Sequence, residues 1–197
     1  MQIYLQLRKK KKLDSKGKII MGVDPGTNKM GYGVIRIAGN RMEYVVMGYI
    51  ELSKFKNVYL KLKYIYERVG SLVAEYLPDE VAFEAPFFGE NVQSMLKLGR
   101  AQGVAMAAVL GYGIEVFEYA PRKVKIVITG QGSASKEQVA SMLKNILNIA
   151  ELPRNLDSTD GLAVAVCHYF QSSRPGFGKS SSGWDDFLRK NPDRVKQ

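Results

Sequence analysis

Residues 18–52 read KIIMGVDPGTNKMGYGVIRIAGNRMEYVVMGYIEL, and three apolar runs separated by turn residues lie within them. Lys18–Asp24, Tyr32–Ala38 and Met42–Leu52 are predicted strands, broken at Pro25-Gly26 and Gly39-Asn40. Proline fixes φ and glycine admits left-handed backbone, so both pairs turn the chain back on itself. Three consecutive strands joined by such short turns predict an antiparallel meander.

Outward from this block the period changes. Val58, Leu62, Ile65, Val69, Leu72 and Tyr76 recur at steps of four and three, which predicts a helix stopped by Pro78. Glu80–Glu84 is a short, continuously apolar run and predicts an interior strand. Residues 92–110 predict a second helix and Gly113–Tyr119 a fifth strand. Val139, Met142, Leu143, Ile146 and Leu147 mark a third helix, with Ser135 and Gln138 spaced for a capping box. A last helix starts near Asp157 and runs to about Phe170. This order predicts an α/β fold with a mixed five-stranded sheet and helices on both faces.

Residues 1–17 form a basic extension containing Arg8-Lys9-Lys10-Lys11-Lys12, read as a solvated arm or an auxiliary nucleic-acid contact. Residues 18–171 are the expected domain. Residues 172–197, rich in Ser, Gly, Pro, Lys and Arg, are expected to be a flexible tail, with Trp184–Leu188 as a short docking segment.

With 29 Lys and Arg against 19 Asp and Glu, the chain carries a formal charge of +10. Such a charge suits nucleic acid or an anionic membrane surface, and also a merely solvated basic surface. Cys167 is the only cysteine and His168 the only histidine, which excludes an intrachain disulfide and leaves too few ligands for a His/Cys zinc site. His168 is expected in a packed or capping role. The basic run near the N-terminus is not followed by an apolar segment, and the uncharged stretch 101–114 is too short to span a bilayer. A cytoplasmic protein without a membrane partner is the expectation.

Against this positive background, Asp24, Glu84, Asp157 and Asp160 stand at a strand end, another strand end and a helix start. Each has a bland alternative: Asp24 as turn chemistry, Glu84 as a solvated strand end, Asp157 and Asp160 as helix N-terminal acids. Together they would repel and hold protons unless divalent cations intervened. Mg²⁺, with Mn²⁺ able to substitute, accepts such hard oxygen ligands, and two ions in one site suit phosphodiester hydrolysis. A nuclease is the chemistry this implies. Candidate phosphate contacts are Lys97, Arg100, Arg122, Lys123, Lys125, Lys136 and Lys144, with Gly130-Gln131-Gly132-Ser133 as either a phosphate loop or a plain turn. Phe87-Phe88 either stacks on an unpaired base or anchors a loop. Gly99, Gly103, Ala107 and Gly111 form a small-residue stripe, read first as intramolecular packing and otherwise as a contact with a second subunit.

The segments Gly22-Val23-Asp24-Pro25-Gly26, Gly31-Tyr32-Gly33-Val34-Ile35, Glu84 with Phe87-Phe88, Ser94 to Gly103, Thr129 to Ala134 with Lys136, and Asp157 to Ala163 together resemble the RuvC family of Holliday-junction resolvases over roughly residues 18–170. The resemblance implies an RNase H-like fold, a homodimer, and paired nicks across a four-way DNA junction, with a branch-migration complex as a further partner. It implies Asp24, Glu84, Asp157 and Asp160 as metal-binding catalytic acids, Phe87 as the base-stacking aromatic, and Lys125 and Lys136 near the scissile phosphate. The sequence departs from the family in the exchanged order of Arg100 and Gln102, in Gly161 where alanine is commoner, and in both termini. Competing readings are another RNase H-like structure-selective nuclease, a non-catalytic junction-binding paralogue, and an actin-like ATPase suggested by the Asp24-Pro25-Gly26-Thr27 loop.

Overall fold

The computed structural model describes residues 17–86, 91–153 and 155–173. The basic extension, Phe87 and Phe88, and the tail beyond residue 173 lie outside the described residues.

The meander forms as expected. Strands β1 (Lys18–Asp24), β2 (Lys29–Ala38) and β3 (Arg41–Glu51) pair antiparallel in sequence order. β2 starts three residues earlier than the pattern predicts, because Lys29, Met30 and Gly31 pair with Glu51, Ile50 and Tyr49. Helix α1 (Val58–Tyr76) is capped by Asn57, whose side chain accepts from the backbone of Tyr59 and Leu60, and it ends just before Pro78. β4 (Glu80–Glu84) then pairs parallel with β1, helix α2 (Val92–Leu110) crosses over, and β5 (Glu115–Tyr119) pairs parallel with β4. The sheet order is β3-β2-β1-β4-β5, mixed and five-stranded.

Three helices follow. α3 (Pro121–Thr129) has Pro121 in its first turn and ends at Gly130 in the left-handed region, φ 79°. Its apolar residues, Val124, Ile126, Val127 and Ile128, are all β-branched, so the sequence pattern does not announce a helix there. The Gly130–Ser133 segment therefore begins as a helix C-cap and turn. α4 (Lys136–Leu147) carries the predicted capping box: Ser135 N–H donates to Gln138 at 2.8 Å and its hydroxyl accepts from Gln138 N–H at 3.3 Å. α5 (Asp157–Ser172) runs two residues beyond the predicted end.

The sheet has a core on each face. Met21, Val23, Val81 and Phe83 pack under α1 and α2. Ile20, Ile35 and Ala82 pack under α3, α4 and α5. α5 is the most deeply seated element, with residues 161–168 all buried. It reaches that depth because Gly22 and Gly161 lack side chains: a Cβ on Gly22 would meet Gly161 O and the Ala165 backbone, and one on Gly161 would meet the backbone of Tyr32. The small-residue stripe of α2 behaves otherwise than first read. α2 buries Ala101, Gln102, Ala105, Ala108 and Val109, so Gly99, Gly103 and Ala107 face outward, with Leu96 and Leu110 exposed beside them.

Candidate active site

Strand parity decides where the first two acids point. Successive side chains alternate between faces, so Asp24 follows Ile20 and Gly22 onto the α5 face, and Glu84 follows Ala82. The parallel register Gly22↔Ala82 and Val23↔Phe83 brings Asp24 and Glu84 side by side at the ends of adjacent strands. Asp157 and Asp160 sit in the first turn of α5, the helix packed on that face. Asp24, Glu84 and Asp160 line one cleft of about 330 Å³, shared with Pro121, Lys125, Lys136 and Ala163. Asp157 does not line the cleft but shares a cation with Asp160.

That cation is Lys136, from the first turn of α4. Its Nζ donates to Asp160 Oδ2 at 2.5 Å and to Asp157 Oδ1 at 3.3 Å. Lys29 Nζ donates to the other Asp157 oxygen at 3.2 Å and lies 5.0 Å from the centre of the Tyr49 ring. Asp157 is thus held on both oxygens, and the Lys29 bond, followed by Lys136, pulls its carboxyl below the ordinary range. Burial alone would lower Lys136, but its bonds to Asp160 and Asp157 raise it, so the ammonium stays charged.

Asp24 and Glu84 have no such support. Among the described residues neither side chain makes a hydrogen bond or ion pair. Burial, then the charges of Glu84 and Asp160, pushes the Asp24 carboxyl up to about 8. Burial, then Asp160, pushes Glu84 up to about 7. Lys29 and Lys136 are bonded to Asp157 and Asp160, so burial and the remaining repulsion fall on the two strand-end acids.

This donor set fits a hard divalent cation: every candidate ligand is a carboxylate oxygen, and burial with mutual repulsion raises two of the four acids, which a bound cation would relieve. In the present conformation no three acids among the described residues converge directly on one point. Lys136, bonded to Asp157 and Asp160, is a cation within the cluster.

Of the other candidates, Lys125 lines the same cleft, whereas Lys97, Arg100 and Arg122 are exposed on α2 and α3. Phe87 and Phe88 lie outside the described residues. Sequence reasoning missed Lys29, because only the β2–β3 register and the packing of α5 bring it to Asp157, 128 positions away. It also missed Gln102, which lines a recess against Asp24 and Glu84 and donates to Glu118 at 2.8 Å. His168 is packed, as expected, with Nε2 2.6 Å from Glu80 and Nδ1 2.7 Å from the Tyr119 hydroxyl, at the end of α5 remote from the acids.

The family model described as crossover junction endodeoxyribonuclease RuvC matches residues 20–168. The chain is 61% identical to the crossover junction endodeoxyribonuclease RuvC of Bacteroides fragilis over 183 residues, covering 92% of this chain and 97% of the relative. It is 55% identical to the one from Porphyromonas gingivalis, covering 93% and 100%. Among solved structures, Thermus thermophilus RuvC in complex with Holliday junction substrate aligns with a TM-score of 0.72 at 31% identity, over 78% of this chain and 93% of that one.

Proposed function

We propose, from the premise that this chain belongs to the RuvC family of crossover junction endodeoxyribonucleases, that the acid-lined cleft is where it cuts DNA. The enzyme is an endonuclease that resolves Holliday junctions, and nucleases of its family depend on metal. Asp24, Glu84, Asp157 and Asp160 are the residues we assign to the chemistry. The observation that carries the assignment is the meeting of Asp24, Glu84 and Asp160 from β1, β4 and α5 in one cleft, with Asp157 joined to Asp160 through Lys136.

Asp24, Glu84, Asp160 and Asp157 would hold the metal, which we take to be Mg²⁺, two ions per site, with Mn²⁺ able to replace it. When bound, it polarises the phosphodiester and makes water a competent nucleophile at neutral pH. The protein's own groups do the rest. Asp24 and Glu84, one strand apart, fix the floor of the cleft on a rigid sheet rather than on loops. Lys136, kept charged by Asp160 and Asp157, transfers from carboxylate to phosphate oxygen as the substrate enters, and Lys125 meets the same phosphate from α3. The cationic flank formed by Arg122, Lys97 and Arg100 receives the DNA backbone, and Phe87 or Phe88 stacks on a base at the junction.

Two-fold symmetry suits a four-way junction, because a dimer offers one site to each of two opposed strands. The outward stripe Leu96-Gly99-Gly103-Ala107-Leu110 on α2 supports a homodimer, since small residues flanked by leucines allow two helices to approach closely.

The test is a cleavage assay offering four-way junction, duplex, flap and RNA–DNA hybrid, with and without Mg²⁺. Selective, metal-dependent paired nicking of the junction is expected, lost in Asp24→Asn and Glu84→Gln by more than about a hundredfold while junction binding persists. Wild-type rates in either variant would remove the assignment.

A further inference from the structure

Lys29 and Lys136 bond the acids themselves, and the exposed cations Lys97, Arg100 and Arg122 lie on α2 and α3, toward β5. A second basic surface lies on the opposite side, and none of the assigned roles uses it. Along the active edge of the sheet the strand ends follow the sheet order, so Asp24 on β1 is succeeded by Lys29 on β2 and then by the loop after β3. That loop and the helix it leads into contain Lys54, Lys56, Lys61 and Lys63, and no acid occurs between Glu51 and Glu67.

The loop is built to hold a shape. Leu52 N–H donates to Asn28 O at 2.7 Å, Phe55 N–H to Leu52 O at 3.2 Å, and Lys61 Nζ to Thr27 O at 2.6 Å. These bonds tie the end of β3 and the start of α1 to the turn that follows Asp24. Phe55 packs against Tyr64 with ring centres 4.8 Å apart, and Lys54 Nζ lies over both rings, 4.6 Å from the Tyr64 centre. Lys54 and Lys56 are exposed, and among the described residues neither has a carboxylate partner. Lys29 and Lys136, by contrast, are neutralised by the acids.

We infer that Lys54 and Lys56 bind phosphates of the cleaved DNA strand where it continues past the acids toward β3. This rests on the cleft being the nuclease site. Adjacent strands are about 4.8 Å apart and the β3 end lies two residues past Tyr49, the residue level with Asp24, so it is about 12 Å from Asp24. At about 3.4 Å of axial rise per nucleotide, the phosphates engaged are about three to four nucleotides from the scissile one. Aromatic anchoring of Lys54 limits the side-chain freedom lost when the phosphate binds.

The test uses the full chain carrying both Lys54→Gln and Lys56→Gln, with junction binding followed across a salt series. Loss of two phosphate contacts should reduce the magnitude of the slope of log K against log salt by about 1.8. Arg41→Gln, at the far end of the β2–β3 hairpin, should leave it unchanged. Neutral methylphosphonates placed about three to four nucleotides from the cut should weaken wild-type binding but have little effect on the double variant. A wild-type slope and wild-type methylphosphonate sensitivity in the double variant, in a preparation whose parent cuts junctions, would overturn this inference alone. A parent that neither binds nor cuts junctions would overturn it together with the proposed function.

Discussion

In chelator, replacing Asp24 with asparagine is expected to make the protein more stable, although the same change removes its cleavage activity. Burial and the neighbouring Glu84 and Asp160 charges raise the Asp24 carboxyl from 3.8 to about 8 in the folded protein. In the unfolded chain it returns to its ordinary value, so between about pH 4 and pH 8 the folded state holds a proton that the unfolded state releases. Stability contributed at this position therefore falls as pH rises through that window, by about 1.4 kcal/mol per pH unit. At pH 7, about three units above the unfolded value, the cost is about 4 kcal/mol. Water in the cleft screens part of it, so a measured gain of about 2–4 kcal/mol is expected for the uncharged, nearly isosteric Asn. The assay is equilibrium denaturation of Asp24→Asn and wild type at pH 5, 6, 7 and 8 in EDTA. The difference should grow across the series and level off above pH 8. Carboxyls whose values are lowered, such as Asp157 and Glu80, titrate in both proteins and cancel. Added Mg²⁺ should narrow the gap by stabilising only the protein that binds it. A variant no more stable than wild type at pH 7 in chelator, or a difference independent of pH, would refute the reasoning.

Three further outcomes follow from the same geometry. Because Asp24 and Glu84 bind protons with values near 8 and 7, metal must displace both, and the Mg²⁺ concentration for half-maximal cleavage should fall by about fiftyfold from pH 6 to 7 and about tenfold from pH 7 to 8; a constant requirement would contradict it. Gly22→Ala forces a Cβ against the backbone of Gly161 and Ala165, and should cost about 1–3 kcal/mol in urea denaturation while displacing the α5 acids. His168→Phe keeps the buried shape but leaves Glu80 and the Tyr119 hydroxyl without their 2.6 Å and 2.7 Å partner, a loss of about 2–3 kcal/mol readable as a lower melting temperature.

The strands were legible because their causes are local. The alternation of apolar residues and the turn residues Pro25-Gly26 and Gly39-Asn40 act within a few positions, and the observed strands match them to within three residues at each end. The capping box at Ser135 was legible for the same reason. Helix α3 was not, since a short run of β-branched residues carries strand propensity, and only packing against α5 and the Pro121 start make it helical. The outward face of the α2 stripe is not legible in the sequence, because composition gives a helix a small-residue face without saying which neighbour it meets.

The candidate site divides along the same line. By itself the sequence determined which acids stand at element ends, and the order of elements that lets them meet, because a strand's terminus and a helix's first turn are written in adjacent residues. Only the tertiary structure decided that Asp24 and Glu84 are neighbours facing α5, that Lys136 and Lys29 grip Asp157 from two different elements, and that Lys54 and Lys56 extend the same edge. These contacts join residues far apart in the chain, and their geometry comes from sheet register and from the close seating of α5 over Gly22, which no local pattern records.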